Sequence, residues 1–179
     1  MRLQSQDCTQ ALRTDSGHFR AERDLLPGDI THSTQARLTV NETEKLKQIL
    51  QTTRTIAVVG LSSNPEKDSY PIAEYLKHQG YRIIPVNPTA PEILGERSYP
   101  DLLSIPDPVD VVQVFRPSSD VPAIVEQAIK IGAKVVWMQE GISHAEAAAK
   151  AEAAGLQAVE NRCMRVAHRL LIGPRRSVG

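Results

Sequence analysis

The sequence predicts an α/β domain: a doubly wound parallel sheet of five strands, order 3-2-1-4-5, with helices on both faces. Three observations predict it. Short β-branched apolar runs alternate with helical stripes at steps of about 25 residues, the βαβ rhythm of a parallel sheet. The runs are apolar throughout rather than alternating, as strands buried on both faces are. Glycines close the stripes at Gly80, Gly132 and Gly155, where helices commonly end. Right-handed crossovers then send helices to both faces.

Residues 1–39 are polar, aperiodic and broken by Gly17, Pro27 and Gly28, and read as a flexible N-terminal extension. The domain is expected over 40–173, with 174–179 as a C-terminal tail. Asn41 and Glu44 have capping-box spacing ahead of Leu46, Ile49 and Leu50, so a short helix should end before Thr52 or Thr53. Residues 55–60 form the first strand. Ile72, Ala73 and Leu76 make the next helical stripe. Residues 81–86 are the second strand; Pro85 has no N–H for a ladder and belongs near its end or where no donor is needed.

Residues 88–107, with four prolines and Gly95, read as a long connection carrying one helical turn at 101–104. Residues 109–115 are the third strand. Ser119 or Asp120 is expected to cap a helix bearing Val121, Ile124, Val125, Ala128 and Ile129. Residues 134–138 are the fourth strand. Ser143 and Glu146 suggest a capping box before an alanine-rich helix. Residues 156–160 are the fifth strand, and a last helix spans 162–171.

Length and charge bound the function. The 179 residues suit one domain with extensions. The 21 basic and 21 acidic side chains balance, which removes the generic electrostatic case for nucleic acid or an anionic membrane. No apolar run reaches membrane-spanning length. Cys8 and Cys163, the two cysteines, fit a reducing compartment. Asp7, Asp15, Glu22, Asp24 and Asp29 argue against a transit peptide, so a cytoplasmic protein is expected.

In sheets of this class ligands bind beyond the C-terminal strand ends, at the switch point. The candidates are therefore residues 60–69, Asn87-Pro88, Arg116-Pro117, Gln139-Glu140-Gly141 and 161–163. The first loop says most. Gly60 permits a sharp turn, Leu61 follows it, and Ser62, Ser63 and Asn64 offer short donors. Asp68 or Ser69 starts a helix whose N–H groups and dipole point at the crevice, an arrangement suited to a pyrophosphate. Lys67 and Arg116 could add charge-assisted contacts. The plain alternative is a polar strand-to-helix loop with no ligand. An NAD(P)-dependent oxidoreductase fits poorly: the second and third fingerprint glycines are absent, and Asn87-Pro88 stands where an acidic residue would hold ribose.

The stretch 55–168 resembles the small stand-alone CoA-binding proteins, relatives of the CoA-binding domain of succinyl-CoA synthetase alpha subunits and acyl-CoA synthetases. The likeness lies in Ile56-Ala57-Val58-Val59-Gly60-Leu61-Ser62, in Ser69-Tyr70, in Gly80-Tyr81-Arg82-Ile83-Ile84-Pro85-Val86-Asn87-Pro88 and in Leu94-Gly95-Glu96 with Tyr99-Pro100. It continues through Val109-Asp110-Val111-Val112, Phe115-Arg116, Gly132-Ala133-Lys134, Val136-Trp137, Gln139, Gly141, Arg162-Cys163 and His168. The resemblance implies a Rossmann-like fold that binds coenzyme A or an acyl-CoA. It places the diphosphate near Ser62, Ser63 and Asn64, and the adenosine near Asn87 and Pro88. Phe115 and Arg116 would flank the third-strand edge, and Gln139 and Gly141 the fourth. Tyr70 would line the ligand or cover the sheet.

The related ligases add a phosphorylated histidine on a further domain and an ATP-binding partner, so the resemblance carries binding rather than catalysis. A homo-oligomer or a ligase partner stays open. Cys163 and His168 are the best reactive pair, but five residues on a regular helix set them about 140° apart. A buried thiol with a helix-end histidine is the plainer reading. Zinc lacks ligands. Trp137, in a strand, reads as core.

Overall fold

The computed structural model describes residues 39–173 of the chain. The expected extension (Thr39 apart) and tail lie outside the described residues. Helix α1 (Val40–Thr52) is opened by Thr39 rather than by Asn41. Thr39 Oγ1 accepts the Glu42 N–H, and the Glu42 carboxylate accepts the Thr39 N–H. Both boxes satisfy the spacing; the earlier one adds about half a turn before Leu46, Ile49 and Leu50 are buried.

The remaining elements follow as β1 (Thr55–Val59), α2 (Ser69–His78), β2 (Arg82–Val86), β3 (Glu92–Ile93) and β4 (Glu96–Arg97). After them come β5 (Val111–Val114), α3 (Val121–Lys130), β6 (Val135–Met138), α4 (Ala145–Ala153), β7 (Gln157–Val159) and α5 (Met164–Leu171). The five expected strands are β1, β2, β5, β6 and β7, all parallel, in the order β2-β1-β5-β6-β7. In chain order of those five strands this is 2-1-3-4-5, which corrects the expected 3-2-1-4-5.

Pro85 supplies the physical reason. It stands opposite Val58 of β1, yet its carbonyl accepts the Tyr99 N–H, on the side away from β1. The N and the carbonyl of one strand residue point the same way, so the missing donor also faces outward. The β1 ladder loses nothing, while a further strand beyond β2 would meet a gap. Tyr99 takes that edge as an isolated bridge, its carbonyl accepting the Asn87 N–H. The third strand crosses back and pairs with β1 on the other side.

The sheet separates two apolar layers. Ala57, Val112, Val114, Val136 and Met138 lie with the buried faces of α3 and α4. Ile56, Val58, Val111 and Trp137 lie with those of α1, α2 and α5. Trp137 is fully buried, as expected, and its Nε1–H donates to the Arg162 carbonyl at 2.7 Å. At the N-terminal end of the sheet one Asp110 oxygen accepts the Arg54 and Thr55 N–H groups at 2.9 and 3.0 Å. Its other oxygen meets Lys134 Nζ at 2.7 Å.

Two further expectations need correcting. Residues Ser118–Asp120 form a 3-10 turn, and Asp120, although at the N-cap of α3, makes no side-chain cap. The α4 cap is His144, whose Nδ1 accepts the Ala147 N–H at 3.2 Å, in place of the Ser143–Glu146 box. The long connection after β2 contains the β3–β4 hairpin, turned at Leu94 and Gly95 with φ of 57° and 71°. Positive φ at both central residues is what a tight hairpin of this hand requires, and leucine is an unusual occupant. Lys77 of α2 holds the turn, donating to the Leu94 carbonyl and meeting Glu96, each at 2.7 Å. Among the described residues no helix is long and apolar enough to cross a membrane.

Candidate ligand site at the C-terminal edge of the sheet

The direction of winding reverses between β1 and β5, so their C-terminal ends open the crevice. Gly60 closes β1 there. Its φ is 85°, and its N–H donates to the Val86 carbonyl of β2. From the other side the Phe115 N–H donates to the Val59 carbonyl. A Cβ on Gly60 would stand 3.0 Å from Arg116 Cδ and 3.1 Å from the Phe115 carbonyl oxygen. The first loop is therefore pressed onto the exit of β5, and only glycine permits that approach.

Leu61 turns its side chain into the core and its carbonyl to Asn87 Nδ2, 2.8 Å away. The Ser62 N–H donates to Ser69 Oγ at 3.0 Å, while Ser62 Oγ accepts the Asn64 N–H at 3.1 Å. Asn64 Oδ1 accepts the Glu66 N–H at 2.9 Å. Part of the polar inventory expected to meet a ligand thus folds the loop itself. Ser63, Asn64 and Lys67 are exposed. Asp68 has helical φ and ψ and makes no side-chain cap, and Ser69 spends its hydroxyl on Ser62, so α2 starts without a side-chain cap. Tyr70 is half-buried against the apolar layer below.

Asn87 ties two loops together. Beyond its bond to Leu61, its Oδ1 accepts the Thr89 N–H and hydroxyl, each at 2.8 Å. Its side chain is thus committed within the protein, and Pro88 beside it is exposed. Phe115 is half-buried. Arg116 lies along Gly60, and its Nε and a terminal nitrogen both meet Asp120 Oδ2 at 3.0 Å. That pairing explains why Asp120 does not cap α3.

At the end of β6, Gln139 is 3 % exposed and its Oε1 accepts the Met164 N–H at 3.4 Å. Its Nε2 is buried without a partner. Gly141 has φ 81° and donates its N–H to Asn161 Oδ1 at 2.7 Å. Ser118 and Gln113 escaped the sequence reading, and the role of Asn161 was not read from it. Asn161 anchors the turn after β6. Ser118 Oγ accepts the Ser143 N–H at 3.3 Å. Gln113, 0 % exposed, has neither side-chain oxygen nor nitrogen bonded. It pairs in register with Val58 and Trp137, so it shares a sheet face with Gln139. A lone amide in the apolar run Val111–Val114 was the visible signal.

Cys163 sits at the N-cap of α5, half-buried, with a free thiol that makes no cap. His168 is fully buried, its Nδ1 3.1 Å from the Tyr75 hydroxyl and its ring edge-on to Tyr75 and Tyr81. The structure therefore directs His168 to the tyrosines. No cluster of three metal-ligating side chains occurs among the described residues.

Fold and loops define a Rossmann-like domain whose polar loops gather at the C-terminal strand ends. The chain belongs to the CoA binding domain family, whose profile matches residues 54–169. It is 39% identical over 124 residues to the uncharacterized protein YneT of Bacillus subtilis, covering 69% of this chain and 92% of that one. It is 32% identical over 117 residues to acetate–CoA ligase (ADP-forming) II of Archaeoglobus fulgidus, covering 60% of this chain and only 17% of the ligase. A solved hypothetical protein from Pyrococcus horikoshii OT3 superposes with a TM-score of 0.72 at 42% identity, covering 82% of this chain and all (100%) of that one.

Proposed function

We propose that the protein binds coenzyme A or an acyl-CoA across the β1–β5 switch point, without catalytic machinery of its own. The observation that carries this is the Gly60 loop, bonded to the exit of β2 and pressed onto that of β5 beside an α2 start that has no side-chain cap. The diphosphate would lie on Ser62, Ser63 and Asn64, where a helix N-terminus favours negative charge. Lys67 and Arg116 would supply cations, Asn87 and Pro88 the adenosine border, and Phe115, Gln139 and Gly141 the path of the pantetheine arm. The unpartnered Gln139 Nε2 fits a ligand bearing amide carbonyls. Bound CoA supplies a thiol that carries acyl groups as thioesters. Isothermal titration with CoA, dephospho-CoA and NAD tests the reading; no heat with CoA at millimolar concentration sinks it.

Two variants report on the phosphate end. Ser63→Asp places a carboxylate beside the diphosphate and should weaken CoA binding about tenfold or more. Unchanged affinity would remove the diphosphate from this loop. Asp120→Asn should tighten binding, because Arg116 no longer has a carboxylate partner. An exposed pair is worth about 0.2–1 kcal/mol, so the gain is about 1.5- to 5-fold by the same titration.

The ligase relative favours a second reading, a CoA-binding component that acts with a separate ATP-dependent chain. Copurification of such a chain with the tagged protein distinguishes it.

A further inference from the structure

Gln113 and Gln139 share one sheet face, and Gln139 bonds Met164, the residue after Cys163. The Gln139 amide is fixed at the head of α5 by the Met164 N–H, which leaves its Nε2 buried at that helix start with no acceptor. Gln113 adds a second buried amide on the same face, with both atoms unbonded. Unpaired buried amides are costly, and each points to a partner that brings hydrogen-bonding groups. Cys163, next to Met164, packs half-buried against the apolar layer that also holds Leu61 and Phe115, residues of the proposed CoA crevice. A thiol, a carbonyl-seeking amide and an apolar wall match the chemistry of a cysteamine end: a sulfur, an amide and methylenes.

We infer that the head of α5 is a sulfur site, at which Cys163 undergoes thiol–disulfide exchange with an oxidised form of CoA held by Gln139. This rests on the CoA reading above. The Cys163 thiolate attacks one sulfur of CoA disulfide; the Cys163–sulfur bond forms as the CoA–CoA disulfide breaks. One CoA leaves as a thiolate and takes up the proton that Cys163 gave. One disulfide replaces another, so no further oxidant enters. Gln139 is a positioning residue, donating to the pantetheine amide carbonyl.

The test uses the full chain with Cys8→Ser, which leaves Cys163 as the one thiol. Reduced protein is mixed with CoA disulfide or glutathione disulfide, and the adduct is followed by intact mass. The CoA adduct should form about tenfold or more faster than the glutathione adduct, because binding raises the local concentration of the disulfide. Excess desulfo-CoA should remove that advantage, and adding Cys163→Ser should abolish the adduct. Gln139→Met should keep the glutathione rate and lose the preference for CoA, a split that a general packing defect would not produce. Equal rates for the two disulfides, or no adduct although titration shows CoA binding, overturn the sulfur site and leave the CoA reading standing. Absence of CoA binding in the titration overturns both.

Discussion

Gly60→Ala should lower stability by about 2–4 kcal/mol and abolish measurable ligand binding at concentrations that saturate the parent. Two effects add. The residue holds φ at 85°, where an L side chain is strained. The new methyl would also stand 3.1 Å from the Phe115 carbonyl, a backbone atom that can move only if β5 moves. Arg116 can swing away, but the carbonyl cannot. Gly141→Ala is the control: its φ is 81°, but nothing lies within 4 Å of the added carbon. It should cost only about 1–2 kcal/mol. Urea denaturation of both variants, with titration of CoA, separates strain from crowding. Equal costs at the two positions would refute the close approach at Gly60.

The second large effect lies at the opposite end of the strands. Asp110→Ala should cost about 2–3 kcal/mol, because the Arg54 and Thr55 N–H groups lose a charged acceptor. Lys134 is mostly exposed and adds little. Burial pushes the Asp110 carboxyl up. The hydrogen bond from Lys134 and those from the two backbone groups outweigh it, so the net direction is down from 3.8. A depressed carboxyl stabilises the fold fully above its unfolded value and loses that contribution as pH falls through the folded value. The stability difference between the parent and Asp110→Asn should therefore be constant near neutrality and shrink below about 3.8. Acid titration of unfolding free energy checks it; a gap that widens in acid would contradict the sign.

Much of the fold was legible because apolar strands and glycine-closed helices are local patterns. The strand order was not, because it depends on which neighbour each strand meets. Pro85 carried that information: a strand that lacks an outward donor belongs at an edge. The helix caps were misplaced where two boxes fit one spacing, at Thr39 and Asn41, or where a histidine replaced the usual hydroxyl, at His144. At the candidate site, the strand-end loops were legible and the hydrogen bonds of their side chains were not. Nothing local showed that Asn87 bonds Leu61 and Thr89. Asp120 read as a cap, yet it holds Arg116. Gln113 stood in the apolar run Val111–Val114 and was passed over.

The two outer strands of the sheet are closed to strangers by different means. At β2 the outward donor of Pro85 is missing, and Tyr99 occupies the neighbouring carbonyl and amide. At β7 the Lys45 ammonium reaches the outward Ala158 carbonyl at 3.5 Å. Unpaired strand rims are where misfolded chains recruit one another, and proline and lysine are the residues that blunt them. The chain should accordingly resist fibril growth by strand addition. Lys45→Val, which takes this α1 ammonium away from the β7 rim, should weaken that resistance.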